Sequence, residues 1–259
     1  MKKFVALLLA VLMVASLCAC GQKGTGSDLQ TVTKGKLIMS TNAEFAPYEY
    51  VADDGKGFQG TGYEGIDIEI AYALAQKLGL ELEVDDMDFD AALLAVQQNK
   101  SDIVMAGVTV TDDRKLVMNF TDSYATGVQV VIVKEGSDVT LDNLGEKMIG
   151  TQRGTTGYIF TSDDYGDDHV TAYDNGASAV QALQNGQVDC VVIDAAPAEA
   201  YVEANPGLTI LDTEYVVENY AIGVNKDNTA LLDAINGALA ELTADGTIDT
   251  IIGKYITAE

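Results

Sequence analysis

The sequence predicts an α/β fold built from two related lobes, and three observations predict it. From Lys36 onward, short apolar runs alternate with segments of helical period, the pattern of mostly parallel strands with intervening helices. A chain of 259 residues, about 240 of them after the expected signal segment, allows one large domain or two lobes of about 100 to 150 residues each. Finally, VQQNKSD at 96–102 and LQNGQVD at 183–189 are similar, and each joins a helical pattern to an apolar strand, at an offset of 87 residues. At that offset Gly107, in the loop that also holds Thr109 and Arg114, falls opposite Asp194. Ligands of open α/β sheets bind beyond the carboxyl ends of the strands. Two such lobes facing each other set Arg114 and Asp194 across one cleft, an arrangement suited to a zwitterion.

The elements follow in order. Lys2 and Lys3 precede FVALLLAVLMVASL, fourteen uncharged residues that read as the basic and apolar regions of a secretion signal over 1–19. The stretch is too short for a comfortable membrane span. Residues 20–35, rich in Gly, Thr, Gln and Lys, read as a flexible tether. LIMST is a strand, and IDIEIAYALAQKLG is an amphipathic helix with Ile66, Ile70, Leu74 and Leu78 on one face. LELEV, DIVMAG, GVQVVIVK, KMIGTQ, DCVVID and YAIGVNK read as strands, DFDAALLAVQQN, GASAVQALQNG and PAEAYVEAN as helices, and two helical segments follow Asn228.

Composition excludes several function classes. With 40 acidic against 15 basic side chains, nucleic acid is not expected as a partner. One histidine, His169, and no cysteine pair in the exported chain leave no usual zinc site, and no metal or cofactor is expected. Cys190, in DCVVID, reads as a buried strand thiol. TSDDYGDDH at 161–169 lacks the spacing of a calcium loop and reads as a solvated acidic loop. Gly60-Thr61-Gly62-Tyr63-Glu64-Gly65 has the spacing of a dinucleotide loop, but YVADDGKGFQ before it is a turn-rich stretch rather than a buried strand.

Of the 15 basic residues only Arg114 and Arg153 are arginines, both in short loops after apolar runs. A guanidinium offers two parallel donors that match a carboxylate, where lysine offers a point charge. From the residues alone, Arg114 is either such a clamp or a surface partner of Asp112 or Asp113. Thr155 could be a plain helix N-cap, and Asp194 could cap the helix in APAEAYVEA.

Leu17-Cys18-Ala19-Cys20-Gly21 resembles the bacterial lipoprotein box, which implies cleavage before Cys20 and acylation of its thiol. Gly65-Ile66-Asp67-Ile68-Glu69-Ile70 resembles the signature of the extracytoplasmic solute-binding proteins of polar amino acid ABC transporters, family 3. Ala46-Pro47, Thr109-Val110-Thr111-Asp112-Asp113-Arg114, Gly154-Thr155-Thr156, Asp194 and Asp245-Gly246-Thr247 match as well. The resemblance implies a two-lobe, type II periplasmic-binding-protein-like fold, each lobe a mostly parallel sheet flanked by helices. Two crossing hinge strands are implied near 126–132 and 217–222, with lobe 1 at 36–130 and 219–259 and lobe 2 at 131–218. It implies that Arg114 clamps a ligand α-carboxylate with Thr156, beside Thr155, that Thr109 takes the carboxylate or the amino group, and that Asp194 and the carbonyl of Gly107 take the α-ammonium. Asn42, Phe45, Ile66 and Gln152 are implied to surround the ligand side chain, with Phe45 as an apolar lid, and Arg153 is placed at the rim. Members selective for lysine or arginine usually carry an acid where this chain has Asn42, so a polar or uncharged L-amino acid is expected. The resemblance further implies a monomeric, lipid-anchored receptor outside the cytoplasmic membrane, with an ABC permease as partner. It is not expected to be an enzyme; a catalytic, dehydratase-like member or a sensory member of the same fold is the alternative.

Overall fold

A computed structural model describes residues 29–212 and 214–256, so the expected signal segment and Cys20 lie outside the described residues. In chain order the elements are strands β1 (Lys36–Thr41), β2 (Glu44–Phe45), β3 (Glu49–Val51) and β4 (Tyr63–Glu64), then helix α1 (Ile66–Leu78). Strand β5 (Glu81–Asp86), helix α2 (Phe89–Gln97), strand β6 (Ile103–Val104), the short helix α3 (Asp112–Val117) and the long strand β7 (Met118–Lys134) follow. Next come β8 (Ile149–Gln152), α4 (Thr156–Tyr165), β9 (Val170–Tyr173), α5 (Gly176–Gln184), β10 (Cys190–Asp194), α6 (Ala195–Ala204) and β11 (Leu208–Ile210). The chain closes with β12 (Val216–Asn225), α7 (Thr229–Ala244) and α8 (Thr247–Tyr255).

One sheet runs through the molecule in the order β5-β1-β6-β12-β7-β10-β8-β9, with β11 on β7. At one end β5, β1 and β6 are parallel; at the other β10, β8 and β9 are parallel. Between them β7 and β12 cross from one group to the other as an antiparallel pair, from Gln129 opposite Val216 to Met118 opposite Asn225. Each end is therefore an α/β lobe, and the chain passes between lobes twice. The paired segments found from sequence occupy equivalent places, α2 leading into β6 and α5 into β10.

Four apolar clusters cover the two faces of the two sheet ends. The largest packs Ile68, Ile70 and Leu74 of α1 with Leu37, Met39 and Tyr220 and with Leu231, Ile235 and Leu239 of α7. Each fully buried side chain of this size contributes about 1.5–3 kcal/mol. Cys190, fully buried on β10, has its thiol pushed up to about 12 by burial.

Three sequence expectations change. Ile66 is fully buried within the largest cluster, because the first residue of α1 packs inward between β1 and α7. The stretch read as an acidic loop is largely helix: α4 continues to Tyr165 and a turn of 3-10 helix spans Asp167–His169. The Thr161 hydroxyl, fully buried, donates back to the Gly157 carbonyl one turn earlier in the same helix at 2.6 Å, which satisfies it inside the lobe. The last part of the expected tether is docked, since the Val32 N–H donates to Asp102 at 2.7 Å and Asn228 donates to the Gln30 carbonyl at 2.9 Å.

Candidate functional site

Between the lobes lies a narrow, partly enclosed cavity. Nine of the ten residues expected at a ligand site line it: Asn42, Phe45, Gly107, Thr109, Arg114, Gln152, Thr155, Thr156 and Asp194. Ile66 does not.

Arg114 reaches the cavity from α3. Thr111 caps that helix, accepting from the Arg114 N–H at 3.2 Å, while Asp112 and Asp113 sit in the first turn where the helix dipole favours them. Asp112 is taken by Lys115 at 3.0 Å, and the guanidinium turns inward, 8 % exposed, over the Phe89 ring at 5.5 Å. Its Nη1 donates to the Thr109 carbonyl at 2.9 Å and its Nη2 to the Gly154 carbonyl of the opposite lobe at 3.0 Å. Among the described residues these use two of its five N–H donors and leave three. Burial pulls its pKa down to about 10, against the opposing pull of Glu218, Asp90 and Asp194, so it is charged at neutral pH.

The opposite wall holds Asp194 at the end of β10. Its side chain does not cap α6; it accepts from Gln129 Nε2 at 3.0 Å and from the Tyr220 hydroxyl. Burial, reinforced by Glu218, raises its carboxyl to about 7 despite these donors. Thr155 does cap, accepting from the Tyr158 N–H at 3.4 Å, and so aims the N-terminus of the ten-residue α4 into the cavity. Thr109 and Thr156 hydroxyls meet across the cleft at 3.4 Å, and Gln152 Nε2 donates to Asn42 Oδ1 at 2.9 Å.

Two glycines make these approaches possible. Gly107 has φ +54°, and a Cβ there would stand 2.8 Å from the Phe45 ring. Its N–H donates at 3.0 Å to Asp67, which also accepts from Tyr124 at 2.8 Å and is raised to about 6 by burial. Gly154 has φ +75°, and a Cβ would fall 1.6 Å from Asp90 Oδ1 of the other lobe. Phe45 stacks on Tyr48 at 5.7 Å and packs against apolar clusters of both lobes, the position of a lid. Arg153 lies at the rim, with Asp174 at 3.5 Å, beside Asp88 and Asp90.

Glu49, Phe89 and Gln129 also line the cavity, and the sequence reading missed them. Glu49 is fully buried, and neither carboxylate oxygen makes a hydrogen bond of good geometry among the described residues. Burial, and then the neighbouring charge of Asp67, pushes its pKa well up. Gln129 left a legible signal, an amide in the apolar run GVQVVIV, whereas Glu49 lies in a three-residue strand that carries no period.

A cleft between two lobes, with a guanidinium on one wall and a carboxylate on the other, is the architecture of a solute-binding protein. The fold is the type II periplasmic-binding-protein-like fold. The family model for bacterial extracellular solute-binding proteins, family 3, matches residues 37–258, and the chain belongs to that family. It is 34% identical over 267 residues to the arginine-binding extracellular protein ArtP of Bacillus subtilis, with 100% of each chain covered. It is likewise 34% identical over 267 residues to a probable histidine-binding protein of Neisseria gonorrhoeae, covering 100% of this chain and 97% of the relative. Among solved structures, an ancestral arginine-binding protein bound to glutamine superposes with a TM-score of 0.80 at 38% identity, covering 87% of this chain and 100% of that one.

Proposed function

We propose that the protein is an extracytoplasmic receptor that captures one L-amino acid between its lobes and delivers it to an ABC importer. The observation that carries this reading is the pair of opposite charges facing one cavity, Arg114 with free donors and Asp194 held by Gln129 and Tyr220. The guanidinium and the α4 N-terminus suit an α-carboxylate. Asp194, with the Gly107 carbonyl, suits an α-ammonium. Thr109, Thr155 and Thr156 flank the carboxylate, while Asn42, Phe45 and Gln152 face the ligand side chain. Lobe 1 comprises residues 36–130 and 219–259 and lobe 2 residues 131–218, and closure proceeds by bending of β7 and β12.

Asn42 taken alone favours a polar or uncharged side chain. Glu49 alters that balance, because a fully buried carboxyl beside Asp67, with neither oxygen well matched among the described residues, can ionise only if something supplies a donor. A ligand side chain with N–H donors, cationic in the best case, would fill that need, and arginine, histidine and glutamine are among what the relatives' names and structures record, beside L-cystine. The proposed class is therefore an amino acid with a basic or amide side chain, L-arginine being the first to try. Acylation of Cys20 would hold the receptor to the outer face of the cytoplasmic membrane, as a monomer.

Native mass spectrometry of ligand retained through purification, followed by melting shifts with each L-amino acid, tests this. A ligand at one hundred times its Kd adds about 2.7 kcal/mol of stability. If no amino acid is retained and none shifts the melt, or if a retained ligand is turned over, the reading fails.

A further inference from the structure

Among the described residues, the side chains that hold Asp194 are both carried on the two crossing strands. Gln129 of β7, 1 % exposed, donates from the same Nε2 to Asp194 at 3.0 Å and to Glu218 of β12 at 2.9 Å. Tyr220, also of β12 and fully buried, donates its hydroxyl to the other Asp194 oxygen. Both acceptors of Gln129 are carboxylate oxygens, so only the NH2 side of the amide can face them. Two buried carboxylates so close repel each other, and a neutral double donor between them is what keeps both in place.

Glycines hold this arrangement open. A Cβ at Gly127 would stand 2.2 Å from the Tyr220 hydroxyl oxygen, and one at Gly157 would press on Gln129 Oε1 at 3.0 Å. Gln129 Oε1 and Glu218 Oε1 are buried without partners among the described residues, so the amide has given up its own acceptor to serve the two acids. The charged and titratable groups around Asp194 are Glu218 and Tyr220 of β12, Glu49 of β3 with Tyr48 just before it, and Arg114 of α3; no lysine or histidine is among them in the described residues.

We propose that Gln129 is a positioning residue for ligand capture, its amide fixing Asp194 in the charged, ammonium-accepting orientation against the repulsion of Glu218. This rests on the assignment of Asp194 to the ligand's α-ammonium. The consequence is an affinity that depends on the charge of Asp194 and that the hinge-strand residues tune in opposite directions. Gln129→Leu removes donors that favour the carboxylate, and so raises the pH at which Asp194 loses its proton. Glu218→Gln removes a like charge, and so lowers it.

The test is a carbon-13 carboxyl titration of Asp194 without ligand, together with calorimetric Kd for L-arginine from about pH 5 to about pH 9. In the wild type the midpoint should lie at about 7, with affinity falling up to about tenfold per pH unit below it. Gln129→Leu should move the midpoint up by about one unit or more and weaken L-arginine roughly tenfold at neutral pH, with recovery at high pH. Glu218→Gln, which keeps the shape and an acceptor, should move the midpoint down. An unmoved midpoint in both variants, shifts of the same sign, or a loss of affinity independent of pH overturns the proposal. The carboxyl titration needs no ligand and decides the matter even where L-arginine does not bind. Asp194→Asn separates the two claims. If it binds L-arginine as the wild type does, the site assignment fails, whereas if it loses binding while Gln129→Leu keeps the wild-type profile, only the role of Gln129 fails.

Discussion

Replacing Glu49 by glutamine should have opposite effects on ligand affinity and on fold stability. The side chain is fully buried, lines the cavity and has no hydrogen bond of good geometry among the described residues. With a cationic ligand it becomes one half of a buried charge pair, and removing one partner of such a pair costs about 2–5 kcal/mol. That corresponds to roughly 30- to 5,000-fold in Kd. An amide ligand such as L-glutamine loses less, because the amide oxygen of the variant still accepts. In the absence of ligand the sign reverses. Burial, and then the charge of Asp67, raises the folded-state pKa of Glu49, so folding favours the neutral acid. The stability this group contributes is full below its unfolded pKa of about 4.3 and is lost as pH rises above it. Glutamine is neutral throughout, so Glu49→Gln should melt above the wild type at neutral pH and converge with it in acid. The assays are calorimetric Kd values for L-arginine and L-glutamine and melting curves across pH. Unchanged L-arginine affinity, or equal losses for the two ligands, would refute the charge pairing, and a variant no more stable at neutral pH would refute the electrostatic account of burial.

Two further substitutions probe closure and anchoring. Gly154→Ala forces an L side chain into φ +75° and into Asp90 of the other lobe, so it should cost about 1–2 kcal/mol of backbone strain and weaken ligand capture, with partial recovery on adding Asp90→Ala; calorimetry on the single and double variants decides, and additive losses would count against a contact across the cleft. Cys20→Ser should abolish incorporation of labelled fatty acid and release the protein from membranes, and retention of label would end the lipoprotein reading.

Much of this was legible because the strongest signals are short and local. Arg114 and Asp194 each follow an apolar run, and the offset between the paired helix–strand segments puts both on facing lobe edges, where the structure finds them. Ile66 was placed by the resemblance rather than by a period, and the structure buries it in the largest apolar cluster instead of on the cavity wall. Helix α4 was hidden by its composition, since YIFTSDDY has acids where a helix period would need apolar residues, and what starts it is the Thr155 cap, a side-chain contact rather than a period. Glu49 and the docking of residues 29–35 depend on partners far along the chain, on Asp67 and Asp194 in one case and Asp102 and Asn228 in the other, and no local pattern announces such contacts.

The central claim is that the cleft reads both ends of a zwitterion, with Arg114 on the carboxylate. The most direct measurement compares calorimetric binding of an L-amino acid and of its decarboxylated amine, L-arginine and agmatine first, to the wild type, Arg114→Ala and Arg114→Lys. The account predicts that the amino acid binds the wild type, that the amine does not, and that Arg114→Ala loses about 2–5 kcal/mol of binding. Arg114→Lys should recover little, because the charge returns without the paired donors. Equal binding of amine and amino acid, or full affinity in Arg114→Ala, would contradict it.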